Sequence, residues 1–459
     1  MEPLLIQLQK GAIILSKKQI KLGAFFNLPG HHFASWRFPT TEPQRTLDLD
    51  YFVELAQIAE QGKFDTIFFA DGFGTELEEN SPSGIKLDPI IIHAALASVT
   101  KNIGLVATLT TTYNEPFQVA RRFIGIDHLS KGRAAWNVVT SASDKEAPLF
   151  GKDKHLPHAE RYERAEEFVD VVKKLWLSID NKALVIDKNS GKYLDLTKVQ
   201  PVNHEGKWFK VRGTLDAPTS AQGHPVIVQA GSSEAGKELA ARTAEVIFTA
   251  WQTLEEAQAF YRDVKGRLAK YGRNPEDLKV MPGVFITVAR TEEEAIAKRK
   301  ELNTYILPEV GLKYLSHFFG ADLTGYDIDG PLPDHFDGED ETNPHIRANI
   351  VRNIAKRENL NTIRELYEFI AGARGHREIV GTPEQIADQL QEWFENEAAD
   401  GFNVMAPTFP DGLNDIVNLV IPELQRRGLF RTEYEGSTLR ENLGLKIPTR
   451  TEVEQYQQV

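Results

Sequence analysis

Phe64-Asp65-Thr66-Ile67-Phe68-Phe69-Ala70 is an almost unbroken apolar run that stops at Asp71-Gly72. Just before it, Leu47–Gln61 carries an apolar stripe at helical spacing and ends at Gly62, a residue suited to closing a helix. A short strand with no polar face is buried on both sides, as parallel strands under helices are. The same kind of run recurs at Ile20–Phe26, Ile103–Leu109, Arg133–Val139, Pro225–Ala230, Glu245–Ala250, Val280–Ala289 and Phe402–Ala406. Helical segments separate several of them. Ser232–Thr243 directly follows a strand, and Thr382-Pro383-Glu384-Gln385 supplies an N-cap and a first-turn proline for a helix reaching about Ala398. Eight strands alternating with helices predict an α/β fold, a closed (β/α)8 TIM barrel rather than an open doubly wound sheet.

Around that frame, residues 20–445 read as one barrel domain, 1–19 as an N-terminal extension and 446–459 as a tail. Two stretches are too long for plain crossovers. Residues 178–222 read as a hairpin excursion on the rim, with β-like pieces such as Trp208–Val211. Residues 304–381 combine helical pieces (Ile346–Lys356, Thr362–Ala371) with an acidic, Pro/Gly-rich loop at Asp327–Glu341. A long insertion in a compact domain tends to be functional, and a lid is the reading favoured here, with a subunit contact as the alternative.

Composition narrows the chemistry. The chain has 459 residues, no cysteine and a formal net charge of −13. Disulfides, thiolate metal sites and cysteine nucleophiles are excluded, and a reducing cytoplasm is the simplest compartment. The negative charge argues against nucleic acid or an anionic membrane as partner. No apolar run reaches membrane-spanning length.

In a barrel of this class the reacting groups sit at the carboxyl ends of the strands. After the first strand come His31, His32, Trp36 and Arg37; after the second, Asp71; near the end of the third, Thr108; in the fourth, Asn137; after the fifth, Gly231-Ser232-Ser233. Hydroxyls and amides outnumber carboxylates, which suits a polar, aromatic, phosphorylated ligand better than a multivalent metal. The capped start of the Ser232–Thr243 helix could seat a phosphate, although such a cap also opens many helices that bind nothing. His158 and Tyr162, four apart, share one face at a helix start. His155 with His158 imitates a metal pair, but no third ligand accompanies them, so no metal site is assigned.

Several strings carry a family likeness: Gly62-Lys63-Phe64-Asp65, Phe69-Ala70-Asp71-Gly72, Arg133-Ala134-Ala135-Trp136-Asn137-Val138-Val139-Thr140-Ser141, His158-Ala159-Glu160-Arg161-Tyr162 and Gln229-Ala230-Gly231-Ser232-Ser233. With Gly381-Thr382-Pro383 and Ala399-Asp400-Gly401-Phe402, the chain resembles the nitrilotriacetate monooxygenase component A family, two-component members of the bacterial-luciferase-like flavin monooxygenases, from about residue 20 to 445. The resemblance implies a luciferase-like barrel with its insertions at the C-terminal face. It implies an FMN site near Asp71, Thr108, Asn137, His158, Tyr162, Ser232 and Ser233. It also implies that FMN arrives reduced (FMNH2) from a separate NAD(P)H-dependent flavin reductase and meets O2, and that one oxygen atom enters a small organic substrate. Relatives are homodimers or homotetramers.

Taken alone, Asp71 also fits a turn aspartate, and Thr108 a simple strand former. His31, His32 and Arg37 occupy positions that relatives turn toward substrate, and a guanidinium there could clamp an anion. The local string His-His-Phe-Ala-Ser-Trp-Arg departs from the family's more usual Gly-x-His…Ala-Trp-Arg, so substrate preference does not carry over. Two other classes stay open on the residues: a luciferase-like protein that binds flavin or F420 without catalysis, and a metal-dependent barrel hydrolase.

Overall fold

The computed structural model describes residues 18–75, 77–141, 143–319, 322–332 and 346–449. The chain opens with β1 (Lys21–Phe25), α1 (Leu49–Gln61), β2 (Thr66–Phe69), α2 (Pro89–Val99), β3 (Gly104–Thr110), α3 (Pro116–Leu129), β4 (Ala134–Val139) and α4 (His158–Trp176). Two short antiparallel pairs follow, β5 (Leu184–Asp187) with β6 (Lys192–Leu194) and β7 (Val202–Glu205) with β8 (Lys210–Gly213). The barrel resumes with β9 (Val226–Ala230), α5 (Glu234–Thr243), β10 (Val246–Thr249), α6 (Leu254–Arg267), β11 (Lys279–Val288) and α7 (Glu292–Thr304). Then come α8 (Pro308–Phe319), α9 (Ile346–Arg357), α10 (Ile363–Ala373), β12 (Arg377–Gly381), α11 (Pro383–Glu395) and β13 (Gly401–Met405).

The expected barrel is present. Parallel strands run in the order β1, β2, β3, β4, β9, β10, β11, β13, and β13 closes back onto β1 from Lys21↔Gly401 to Phe25↔Met405. Each of the eight apolar runs read from the sequence forms one of these strands. The ninth parallel strand, β12, pairs with Val284–Val288 of β11, above the point where β10 stops pairing at Pro282. Its sequence, Arg377-Glu378-Ile379-Val380-Gly381, opens with two charges and carries no strand signal of its own. It exists because β10 leaves half of β11 unpaired.

Side-chain alternation separates two cores. Trp136, outward on β4, packs with Phe123 of α3 and with Phe168 and Trp176 of α4 between barrel and helices. Inward residues Phe68, Val106, Ala135, Val228 and Met281 fill the barrel, and Leu439, Leu443 and Leu445 from the C-terminal segment plug its lower end. Gly104 makes room for that plug, since a Cβ there would lie 2.5 Å from a Leu439 methyl. Arg440 locks it: its buried guanidinium pairs with Glu245 and donates to the Gln222 carbonyl at 3.0 Å and the His224 carbonyl at 3.1 Å. Arg440 holds Glu245 down at about 2, against the opposing pull of burial. A buried pair of this kind is destabilising by about 3–5 kcal/mol if one partner is removed.

The 178–222 segment carries the two small hairpins. The 304–381 segment carries α8, α9 and α10 and packs on the loop after β1: Phe33 N–H donates to the Ala371 carbonyl at 3.1 Å, and the Phe33 and Tyr314 rings meet at 3.8 Å. Within the acidic loop of that segment, residues 333–341 lie outside the described residues, as do residues 1–17 of the N-terminal extension and 450–459 of the tail. Among the described residues no helix is long and apolar enough to cross a membrane.

Candidate active site

A cleft of about 700 Å³ opens at the carboxyl ends of β2, β3, β4 and β9. Asp71, Thr108 and Tyr162 line it, joined by Lys86, Thr110, Ser141, Glu146 and Gln229. Thr108, Thr110 and Gln229 end strands and Asp71 and Ser141 lie just past them, because parallel strands all deliver their C-terminal residues to one face; Tyr162 comes from α4, and Lys86 and Glu146 from the connections after β2 and β4.

Asn137 and Thr108 sit side by side across the β3–β4 pairing. Asn137 Nδ2 donates to Thr108 Oγ1 at 2.9 Å, and the Thr108 hydroxyl donates to the Phe69 carbonyl at 2.7 Å. That relay fixes the amide and leaves Asn137 Oδ1 buried without a partner; Gln229 Oε1 is left the same way. Unpaired buried oxygens cost about 1–3 kcal/mol each unless a donor arrives. Two such acceptors beside one polar cleft fit a heteroaromatic ring that carries N–H donors.

Asp71 follows β2 directly and forms an ion pair with Lys86 at 2.9 Å. Burial raises its pKa above the ordinary range and outweighs the lysine, which pulls the other way. Ser141, at a left-handed φ of 58°, holds its hydroxyl between Thr110 Oγ1 (2.9 Å) and Glu146 Oε2 (2.6 Å). Two arginines of α4 fasten this rim: Arg161 donates to the Ser141 carbonyl, and Arg164 to the Thr111 carbonyl. Tyr162 packs against the exposed His158 with ring centroids 4.7 Å apart.

At the end of β9, Ser233 caps α5, its hydroxyl accepting from Gly236 N–H at 3.1 Å. The turn is tight: a Cβ on Gly236 would lie 3.1 Å from that hydroxyl and 3.4 Å from the Gly231 backbone. Ser232 is exposed beside it. A helix N-terminus with a free hydroxyl and closely approached backbone suits a phosphate.

The three residues read as substrate-side lie elsewhere. His32 is buried and uses both nitrogens: Nδ1 accepts from Ala34 N–H at 3.2 Å, so Nε2 donates to Asn303 Oδ1 at 3.0 Å. His31 is also buried; its Nε2 donates to the Phe25 carbonyl at 2.8 Å, which leaves Nδ1 as an acceptor. Burial pushes both rings down to about 3. Arg37 is exposed and donates to the Tyr305 carbonyl, tying the β1 loop to the turn after α7.

Of the other lining residues, Ser141 and Gln229 stand in the family-like strings without an assigned role, and Lys86 and Glu146 carry no signal in the sequence. Gln229 had a signal, as the polar member of Val226-Ile227-Val228-Gln229, while Lys86 reaches the cleft from a loop with none. Among the described residues no three His, Asp or Glu side chains gather as metal ligands would.

Comparison with known proteins gives the cleft a context. A family model described as luciferase-like monooxygenase matches residues 28–400. Nitrilotriacetate monooxygenase component A of Aminobacter aminovorans is 52% identical, over 94% of this chain and 98% of that protein. N-acetyl-S-(2-succino)cysteine monooxygenase of Bacillus subtilis is 50% identical, over 94% and 98%. Among solved structures, a riboflavin lyase with modified FMN superposes with a TM-score of 0.82 at 31% identity, over 96% of this chain and 99% of that one.

Proposed function

The chain belongs to the luciferase-like monooxygenase family, and from that premise we propose that it is the oxygenating component of a two-component enzyme, taking reduced FMN from a separate NAD(P)H-dependent reductase. The observation that carries this reading is the pair of buried unpartnered acceptors, Asn137 Oδ1 and Gln229 Oε1, beside a cleft walled by Asp71, Thr108 and Tyr162. Asn137 and Gln229 would receive donors of the flavin ring, Tyr162 would flank it, and the Ser232–Ser233 turn would hold the phosphate.

Bound reduced FMN supplies the electrons for activating O2, so that one oxygen atom enters the substrate and the other leaves as water. The chain's own residues place and shield. Burial favours the neutral form of His31, and with Nε2 given to the Phe25 carbonyl its Nδ1 is the acceptor it would offer a donor on the substrate side. His32 positions the β1 loop through Asn303, and Arg37 anchors that loop from outside. The α8–α10 segment packs on the same loop, and acting as a lid it would limit wasteful release of hydrogen peroxide.

Anaerobic titration with photoreduced FMN tests the site. Wild type is expected to bind reduced FMN, and Asn137→Leu, which removes both the relay donor and the open acceptor, to bind it about 10–100-fold more weakly, the loss of one or two hydrogen bonds. Equal affinity in the two proteins would place the flavin elsewhere. Absence of any oxygenated product under 18O2, with reduced FMN bound, would favour a binding protein over an oxygenase.

A further inference from the structure

A second pocket, of about 460 Å³, opens between α7, the end of α9, α10 and β12, and shares no residue with the active-site cleft. In a chain of net charge −13, its wall carries the cations Arg299, Lys300, Arg357 and Arg377 against the carboxylates Glu358 and Glu378. Both carboxylates are committed. Glu378 accepts from Arg299 Nε and Nη2 at 2.8 and 3.0 Å, and Glu358 accepts from Arg357 Nε at 2.8 Å. Buried Gln252 holds two guanidiniums on one residue: Arg357 Nη2 donates to its Oε1 at 3.2 Å, and Arg377 Nη1 to its carbonyl at 3.0 Å. Gln252 is itself fixed, since its Nε2 donates to the Gly375 and His376 carbonyls at 2.6 and 2.7 Å. Arg377 is the uncompensated charge. It lies over the Trp393 ring at 5.0 Å, donates otherwise only to Gln389 Oε1 at 2.6 Å, and its Nε is buried with no partner among the described residues. Burial pulls this guanidinium down from its ordinary value and Arg357 pulls the same way, against Glu392 and Glu358. Glu392, and Glu368 beside Arg299, act from outside the wall. Cations held side by side repel one another and lose hydration, a cost that a bound anion offsets.

We propose that this pocket binds an organic phosphate, a phosphate group carried on a planar aromatic body. Arg299 Nη1, Arg357 Nη1 and Lys300 Nζ have no hydrogen-bond partner among the described residues, so the wall keeps charge-assisted donors in reserve. They come from two helices, α7 and the end of α9. That spread suits a tetrahedral dianion, which accepts from several directions, better than a flat carboxylate, which matches a single fork. Volume decides for an organic ligand over a bare ion, since pockets for small organic molecules span about 300–1,000 Å³. The remaining wall decides the body of that ligand. Phe369, with the Arg299 guanidinium over its ring at 5.6 Å, joins Ile296 and Val380 in an apolar side against which a planar ring can lie. Because the pocket is separate from the cleft, the inference stands independently of the flavin assignment.

Calorimetric titration of the full chain with adenosine monophosphate, adenosine and inorganic phosphate, at fixed ionic strength, tests the assignment. The monophosphate is expected to bind about tenfold or more tightly than adenosine, which lacks the anion, and than inorganic phosphate, which lacks the ring. Arg357→Glu and Lys300→Glu, both at exposed positions, are each expected to weaken it about tenfold or more, while reduced FMN binds both variants as it binds wild type. Ser233→Asp, which puts a charge at the turn proposed for the flavin phosphate, is expected to bind adenosine monophosphate as wild type does. Four results would overturn the assignment: no heat from the monophosphate at millimolar concentration; adenosine or inorganic phosphate binding as tightly; unchanged affinity in Arg357→Glu and Lys300→Glu; or a loss of affinity in Ser233→Asp, which would move the ligand to the cleft.

Discussion

Individual side chains in this protein are set by what their neighbours leave open. Of the two adjacent histidines, His32 is closed by Ala34 and Asn303, and His31 alone keeps a nitrogen free of the scaffold. The sequence left the pair undivided because the deciding contact, Asn303, is 271 positions away. Buried histidines also fix the acid side of the stability curve. His31, His32 and His224 are held near 3 and His93 near 4 by burial, against an ordinary 6.5. Their folded values are depressed, so the unfolded chain binds more protons between those limits; stability is full above about pH 6.5 and falls as pH drops through the window. Asp127, raised by burial to about 6, opposes this over part of the range. His93 Nε2 bonds the Val106 carbonyl at 3.0 Å, a contact a glutamine amide can keep. In urea titrations, His93→Gln is expected to lose less stability than wild type between pH 6.5 and 4, by about 2–3 kcal/mol. Identical pH profiles would show that His93 takes up no proton on unfolding.

Elements carry the site by where they start and stop. The turn from β9 into α5 was legible as Gly231-Ser232-Ser233, but the sequence could not say which serine caps; Ser233 does, leaving Ser232 outward. That division makes a discriminating experiment. Ser233→Ala removes the cap and is expected to cost about 1 kcal/mol of stability, whereas Ser233→Asp caps as well as serine. The added charge should still weaken reduced-FMN binding about tenfold or more if a phosphate docks at this turn, while riboflavin, which lacks the phosphate, should bind the two proteins alike. Equal losses for both ligands would remove the phosphate from this turn. The α8–α10 segment supplies a second case. Shortening its Asp327–Glu341 loop is expected to raise the hydrogen peroxide released per NADH consumed while reduced FMN still binds; unchanged coupling would leave the segment as packing only. β12 was not legible, because its pairing is imposed by a half-empty neighbour rather than by its own residues.

At the scale of the whole molecule, eight apolar runs sufficed to predict the barrel, since burial on both faces is written directly into composition. The cleft was legible in part: Asp71, Thr108 and Tyr162 announce themselves at strand and helix ends, whereas Lys86 and Glu146 reach it from loops whose course no local pattern dictates. Barrel and plug together place one polar cleft at the strand ends, and the family relationship supplies the chemistry proposed for it. The most direct test is turnover under 18O2 with the purified chain, FMN, NADH and a flavin reductase, offering nitrilotriacetate, N-acetyl-S-(2-succino)cysteine, dibenzothiophene sulfone and dimethyl sulfide in turn. One of these is expected to be consumed only when reductase and chain are both present, its product gaining one 18O atom per turnover. Contradiction would be O2 converted wholly to hydrogen peroxide at the same rate with and without every compound, with no label in any product.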